Sequence, residues 1–223
     1  MSGDVVVVGA GIVGASCAYF AARNGLHVHV VDRGPIAGGT TGAGEGNVLV
    51  SDKEPGPELD LALLSSRIWR ELGRLPLRGR TVAELIELEE KGGLVVASSD
   101  ATMTSLGGLA AHQRTEGVEA VAVPAGELIE HEPNLARDLA GGYLYPQDMQ
   151  LQPMMAAAVL LRLARLAGAT VLPGEAVTVL SVCARQPAIC RPARWSMQRA
   201  PGQARSRRWP ACACPWHRAA ASS

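Results

Sequence analysis

Short β-branched runs and amphipathic stretches alternate at the start of the chain. Residues 5–8 are an apolar, β-branched run of the kind that forms buried parallel strands. Residues 15–24 then carry a helical pattern that Gly25 ends, and residues 26–31 form a second apolar run that closes at Asp32. This order of strand, glycine turn, helix and strand predicts a βαβ unit with two parallel strands.

Downstream, the apolar pattern changes between helical and extended periods. Residues 34–56 are rich in Gly, Thr and Pro and predict a long ordered loop. The next helix is predicted to have one apolar stripe, which consists of Leu61, Leu64, Ile68, Leu72 and Leu75. Residues 85–99 alternate around a Gly-Gly pair and predict a hairpin. The remaining predicted elements are a helix at 100–116, a strand at 118–123, a short helix at 124–130, a strand at 142–145, a helix at 153–168 and strands at 169–172 and 177–180.

The composition narrows the classes of protein to which the chain can belong. Apolar residues make up 48% and aromatic residues 4%, so an aliphatic core is predicted. The net charge of +0 argues against nucleic acid or an anionic membrane as the main partner. Residues 5–22 are apolar, but glycines interrupt them and no positive charge precedes them, so no signal peptide or transmembrane segment is predicted. Cys17 is the single cysteine before residue 181, which favours a reducing, cytoplasmic location.

The glycine turn between the first strand and the first helix has the spacing of a dinucleotide-binding loop. Gly9 permits the tight turn, Gly11 lets a pyrophosphate approach the backbone, and Gly14 lets the helix pack closely on the strand. The helix N-terminus then directs amide N–H groups at the phosphates. Asp32 lies where a carboxylate accepts hydrogen bonds from the adenosine ribose, and it would repel the 2′-phosphate of NADP. Arg33 could meet a phosphate there.

Two stretches carry a resemblance to a known family. Residues 5–16 read V-V-V-V-G-A-G-I-V-G-A-S, and residues 38–47 read G-G-T-T-G-A-G-E-G-N. Together they resemble the D-amino-acid oxidase-like family of flavoproteins, which includes glycine oxidases, sarcosine oxidases and D-amino-acid dehydrogenases. The resemblance implies FAD as cofactor and oxidation of the C–N bond of an amino acid or amine, with hydride transfer to the flavin. It also implies that residues 38–47 run beside the pyrophosphate toward the flavin ring.

The resemblance continues to residue 180. Residues 145–153 resemble the family's segment that leads into a helix, although Met149 stands where glycine is usual. Residues 168–171 and 177–180 resemble strands that return the chain to the FAD domain, where the backbone near Val177 would touch the adenine. The implied cofactor-binding residues are Gly9, Gly11, Ile12, Gly14, Asp32, Arg33, Thr40, Thr41, Gly46, Asn47 and Val177.

The patterns predict an α/β fold with a Rossmann-like FAD/NAD(P)-binding domain and a disordered C-terminal tail. The resemblance implies that this domain carries an incomplete α+β substrate domain. The predicted regions are the FAD-binding βαβ region at 1–80, a partial substrate domain at 81–150, a return to the FAD-binding domain at 151–180 and the tail at 181–223. In the family, the groups that bind the substrate carboxylate come mainly from the C-terminal half. No catalytic residue is therefore named, and a truncated chain with little or no activity is predicted.

Residues 181–223 differ from the rest of the chain, because they hold eight arginines, four of the five cysteines and no acidic residue. One interpretation is a zinc site with ligands among Cys183, Cys190, Cys212, Cys214 and His217. A second interpretation is a basic tail for nucleic acid. A third is translation in a shifted frame, since codons for residues 195–202 read one base earlier allow V-V-N-A-A-G-A-W, which resembles the family's missing motif. The third interpretation is favoured, so no metal site is predicted.

Three hypotheses for function remain open at this point. The main one is an FAD-dependent oxidoreductase with a small amino acid or amine as substrate. The others are a non-catalytic nucleotide-binding pseudoenzyme and an NAD-dependent dehydrogenase. The sequence does not indicate an oligomeric state.

Overall fold

The computed structural model describes residues 4–179 and 196–199. The strands are β1 (Asp4–Val8), β2 (His27–Asp32), β3 (Asn47–Val48), β4 (Pro76–Leu77), β5 (Arg80–Thr81), β6 (Gly93–Ala97), β7 (Val121–Pro124), β8 (Gly141–Tyr145), β9 (Met149–Gln150), β10 (Thr170–Pro173), β11 (Glu175–Val179) and β12 (Ser196–Arg199). The helices are α1 (Ile12–Arg23), α2 (Pro57–Gly73), α3 (Val82–Ile86), α4 (Asp100–Thr115), α5 (Leu128–His131) and α6 (Pro153–Leu166), with 3-10 turns at Thr40–Ala43 and Ala125–Glu127. None of these described helices is long and apolar enough to cross a membrane.

The chain forms two compact units, Met1–Ala43 together with Ala157–Ser223, and Gly44–Ala156. α2 belongs to the second unit, and its Leu59 is fully buried in the core there. The predicted region boundaries at residues 80, 150 and 180 stay predictions.

A parallel sheet in the order β1-β2-β10 forms the centre of the first unit. β1 pairs with β2 with Val6 opposite His29, and β10 pairs with the other side of β2 with Val171 opposite Val30. Because β2 is the middle strand, its Val30 and Val31 are fully buried. α1 makes the crossover that two parallel neighbouring strands need. The predicted βαβ unit is therefore confirmed.

β11 leaves this sheet and forms an antiparallel pair with β12. β12 lies within residues 181–223, so the prediction of a tail without structure does not hold for Ser196–Arg199, whose backbone pairs with β11. The rest of the predicted tail lies outside the described residues. The same is true of its possible zinc ligands and of the predicted frame shift.

An antiparallel sheet in the order β6-β8-β7 organises the second unit. The strand predicted at 142–145 is confirmed as β8, which is the middle strand, and α4 packs on β6 and β8. The buried core against this sheet consists of Val50, Leu59, Ala110, Val118, Ala120, Tyr143 and Tyr145. Two short antiparallel pairs, β3 with β9 and β4 with β5, complete the unit.

The hairpin predicted at residues 85–99 is wrong. Its first two residues, Leu85 and Ile86, are the end of α3, which a capping box begins: the Thr81 side chain accepts from the Glu84 N–H, and the Glu84 carboxylate accepts from the Thr81 N–H. These reciprocal hydrogen bonds satisfy the free amides of a helix start and stabilise the helix at Val82–Ile86. Glu89, which follows, forms an antiparallel bridge with Gln150. The second half is β6, whose partner is the distant β8.

The apolar stripe predicted for α2 is also wrong in its first turns. Leu61 is 66% exposed and Leu64 is 45% exposed. The buried face instead contains Leu59, Ser66 and Gly73, which are spaced seven residues apart on one side of the helix. A side chain at Gly73 would be crowded, since a Cβ there would lie 3.0 Å from Leu88 Cδ2 and 3.3 Å from the Cβ of Ala83 in α3. α2 and α3 therefore meet closely at this point.

Candidate functional site

The glycine turn after β1 has the close contacts that its spacing predicts. Gly9 adopts a φ of 109°, which favours glycine, and its N–H donates to the Val31 carbonyl at 2.8 Å. A Cβ on Gly14 would collide with the Gly9 carbonyl oxygen and lie 3.2 Å from Val7 Cγ1. The predicted close packing of the helix on the strand is therefore confirmed.

The first turn of α1 is tied to a residue far along the chain. Gly11 is the N-cap of α1 and has no side chain with which to cap it. The Ile12 N–H donates instead to Thr41 Oγ1 at 3.0 Å, and a Cβ on Gly11 would lie 2.9 Å from that oxygen. Thr41 thus caps the helix from the 3-10 turn. The sequence analysis missed this role, because no local pattern links residues 29 positions apart.

Asp32 is fixed at the end of β2 by two backbone hydrogen bonds. Its Oδ2 accepts from the Ala10 N–H at 2.7 Å, and its Oδ1 accepts from the Gly34 N–H at 2.8 Å. The carboxylate therefore joins the glycine turn after β1 to the turn after β2. Each ionised carboxylate oxygen has two acceptor positions, so Asp32 can still accept hydrogen bonds from a ribose.

A cavity of about 380 Å³ opens beside these groups, within the size range of small-molecule sites. The cavity brings together five of the predicted cofactor residues, which are Gly11, Asp32, Arg33, Thr40 and Thr41. Gly34, Pro35, Gly38 and Gly39 complete its lining. Small residues leave the backbone accessible, while a carboxylate and a guanidinium provide opposite charges, as a ligand with hydroxyl and phosphate groups requires.

Gly46 and Asn47 belong to the second unit, where the strand at 149–150 holds them. Gly46 has a φ of 84°, and a Cβ there would collide with the Leu151 carbonyl oxygen. The Gly46 carbonyl accepts from the Leu151 N–H at 2.9 Å. Asn47 pairs with Gln150 in the β3–β9 ladder, and its Nδ2 donates to Glu45 Oε2 at 3.1 Å. Residues 145–153, which carry part of the family resemblance, thus include the partners of Gly46 and Asn47, namely Leu151 and Gln150.

Val177, the remaining predicted cofactor residue, lies in β11. That strand runs close to β2 in the first unit, and Val177 pairs with Met197 of β12. Its predicted contact with the adenine stays a prediction.

Among residues 4–179 and 196–199, no group of three or more His, Cys, Asp or Glu side chains is arranged to hold a metal ion.

Comparison with known proteins supports a single family. The family model described as FAD dependent oxidoreductase, DAO, matches residues 4–193. The match extends past residue 180, where the sequence analysis had placed the end of the resemblance. A glycine oxidase of Geobacillus kaustophilus is 31% identical over 170 residues, which are 74% of this chain and 44% of the relative.

Solved structures agree in fold. The crystal structure of glycine oxidase from Geobacillus kaustophilus aligns with a TM-score of 0.70 at 28% identity, over 78% of this chain and 47% of that one. L-α-glycerophosphate oxidase from Mycoplasma pneumoniae with FAD bound aligns with a TM-score of 0.72 at 18% identity, over 88% of this chain and 49% of that one, which supports the fold alone. The chain thus spans about half the length of the proteins it matches.

Proposed function

Because this chain belongs to the DAO family of FAD-dependent oxidoreductases, we propose that its first unit binds the adenosine and pyrophosphate part of FAD. We further propose that the whole protein oxidises the C–N bond of a small amino acid or amine. FAD, when bound, accepts the hydride from the carbon next to nitrogen, and the residues of this chain bind and orient it.

The observation that carries the proposal is the cavity in which Gly11, Asp32 and Thr41 meet. Gly11 allows a pyrophosphate to approach the start of α1, where the amide N–H groups and the helix dipole favour anions. Asp32, held by the N–H groups of Ala10 and Gly34, accepts hydrogen bonds from the ribose hydroxyls.

The stretch from Thr40 to Asn47 supports FAD over NAD. NAD lacks the long isoalloxazine part that this stretch is proposed to contact in the family. The Thr41 bond to Ile12 fixes the beginning of the stretch, and the Gly46 bond to Leu151 fixes its end. We propose that the backbone between these two points follows the cofactor from the pyrophosphate toward the flavin.

The substrate is proposed from the relatives. The matched protein of Geobacillus kaustophilus is named a glycine oxidase, and a small amino acid or amine is therefore our proposed substrate class. The chain covers less than half of that relative, so the activity is proposed for the whole protein, and we propose that these 223 residues alone have little or none. A cytoplasmic location is proposed from the low cysteine content before residue 181.

Titration of the purified chain with FAD and with NADH tests the cofactor. We expect quenching of flavin fluorescence and a protein-bound visible flavin spectrum, and no binding of NADH. Asp32→Ala should weaken FAD binding, whereas Asp138→Ala, which alters an exposed aspartate of the second unit, should leave it unchanged. Binding of NADH without binding of FAD would overturn the proposal in favour of an NAD-dependent dehydrogenase.

A second measurement separates an enzyme from a non-catalytic nucleotide-binding module. Small amino acids and amines are added to the FAD-loaded whole protein without oxygen. Loss of the visible flavin absorbance on addition of one of them would support oxidation of that compound. A flavin spectrum that none of them changes would favour a module that binds FAD without turning over.

A further inference from the structure

Three buried side chains of the second unit form a polar cluster around residues 50–53. Gln113 and Tyr145 are fully buried, and Asp148 is 1% exposed. They come from α4, β8 and the turn before β9. Gln113 and Asp148 form hydrogen bonds with a loop that follows β3, and Tyr145 donates to Gln113. We call Gln113, Tyr145 and Asp148 the polar clamp.

Asp148 accepts hydrogen bonds from backbone N–H groups of this loop. Its Oδ1 accepts from the Val50 N–H at 2.7 Å and from the Ser51 N–H at 3.3 Å. Its Oδ2 is buried and has no hydrogen-bond partner among the described residues. This oxygen lies against Gly93, where a Cβ would collide with it. Gly93 therefore provides the space that lets a carboxylate reach the loop.

Gln113 donates hydrogen bonds to backbone carbonyl groups of the same loop. Its Nε2 donates to the Lys53 carbonyl at 2.7 Å and to the Ser51 carbonyl at 3.1 Å. Its Oε1 accepts from the Tyr145 hydroxyl at 2.9 Å, which fixes the orientation of the amide. The clamp thus satisfies both donors and acceptors of a loop whose Val50 and Ser51 are buried.

A merely stabilising core would not need such groups at this point. A buried carboxylate with one unpartnered oxygen is costly, and apolar side chains of similar volume are often neutral or better for stability. What the clamp provides is a defined backbone path for residues 50–53. That segment follows Gly46 and Asn47 in the chain by three residues, and those two residues are held by Leu151 and β9.

We propose that Asp148 and Gln113 are positioning residues for FAD, which hold the loop at residues 50–53 so that Gly46 and Asn47 present their backbone to the flavin. This inference rests on the proposed function, since it takes the flavin as the group that Gly46 and Asn47 contact. Tyr145 acts one step further away, because its hydroxyl donates to Gln113 and orients that amide.

The first test needs no cofactor. Native-state amide hydrogen exchange is measured on the full chain for residues 46–53. In Asp148→Ala the Val50 and Ser51 amides lose their acceptor, and their exchange should rise about tenfold or more. Asp148→Asn keeps a side-chain oxygen that can accept, so its exchange should rise less. Val123→Ala removes buried volume from β7 and serves as the control, with exchange of residues 46–53 unchanged.

The second test measures FAD affinity and the visible spectrum of bound flavin in the same variants. We expect Asp148→Ala to weaken FAD binding about tenfold and to alter the flavin spectrum, Asp148→Asn to recover most of both, and Val123→Ala to change neither. Gln113→Leu should resemble Asp148→Ala, and Tyr145→Phe should have a smaller effect.

Each outcome decides a separate claim. If Asp148→Ala and Val123→Ala give the same exchange at residues 46–53, the clamp does not hold the loop. If exchange rises but FAD affinity and spectrum stay unchanged, the clamp holds the loop without positioning FAD. If even the unaltered chain fails to bind FAD, the proposed function fails for this chain and positioning of FAD fails with it, while the exchange result still decides whether the clamp holds the loop.

Discussion

Two stretches are proposed to bind FAD, and different sets of contacts fix their backbones. The turn at Gly9–Gly14 depends mainly on a missing side chain, because a Cβ at Gly14 would collide with the backbone of Gly9, and Asp32 and Thr41 add hydrogen bonds to it. In the stretch from Gly46 through residue 53, Gly46 also has no room for a Cβ, but residues 50–53 depend on the side chains of Gln113 and Asp148. Local spacing indicates the glycine packing, whereas the hydrogen bonds from distant side chains exist only once the chain has folded.

The largest effect is expected at the glycine turn. Gly14→Val places two methyl groups where even a Cβ collides with the Gly9 carbonyl, so α1 must move away from β1. We expect a loss of stability on the order of 3 kcal/mol or more, and loss of FAD binding. Thermal unfolding with FAD titration measures both. The matched control is Gly108→Ala in α4, where a Cβ meets open space and a gain of up to about 1 kcal/mol is expected.

The next effect concerns Asp32, which joins the two turns of the first unit. Asp32→Ala leaves the Ala10 and Gly34 N–H groups without their acceptor and removes the proposed ribose contact. We expect FAD affinity to fall by about 2 kcal/mol, or roughly thirtyfold in Kd. Fluorescence titration checks this. Asp32→Asn should lose less, since its oxygen can still accept one of the two bonds, and an equal loss in both variants would contradict this role.

A smaller effect is expected at the helix start. Thr41→Val keeps the shape of the side chain but removes the oxygen that accepts from the Ile12 N–H. The expected loss of stability is about 1 kcal/mol, which is typical for a helix cap. Thr41→Ser retains the hydroxyl and should behave as the unaltered chain in urea unfolding. Equal stability of the valine and serine variants would show that the distant cap contributes nothing.

The smallest effect is a pH dependence at the capping box of α3. Backbone and side-chain hydrogen bonds from Thr81 hold the pKa of Glu84 below its usual value. A carboxyl with a lowered folded-state pKa adds stability above its unfolded-state pKa, and that stability is lost as pH falls through the lowered value. Glu84→Gln should therefore flatten the acid limb of a stability-against-pH curve slightly. If the stability-against-pH curve of Glu84→Gln keeps the shape of the unaltered chain, the capping box does not stabilise α3.

The same difference explains how far the sequence could be interpreted. The βαβ unit, the steric roles of Gly9 and Gly14 and the strand at 142–145 follow from local spacing, and the structure confirms them. The pyrophosphate contact at Gly11 stays a prediction. The hairpin at 85–99 failed because Glu89 pairs with Gln150 and β6 pairs with β8, and local spacing does not reveal these distant partners. The α2 stripe failed because the small residues Ser66 and Gly73 are buried, Gly73 at a close contact with Ala83 of α3, and hydrophobicity does not reveal this face. Thr41, Gln113 and Asp148 could not be found in advance, since their partners lie 29 to 98 positions away.

The bond from Thr41 to the start of α1 has a thermodynamic consequence for ligand uptake. It closes a 29-residue loop before any ligand arrives, so the entropy of ordering the turn at Thr40–Ala43 is already spent in folding. This part of the cavity is therefore preorganised, and a dinucleotide that binds there does not have to order it. Calorimetry of FAD binding should accordingly show a less unfavourable entropy for the unaltered chain than for Thr41→Val, in which the same turn must be ordered by the ligand.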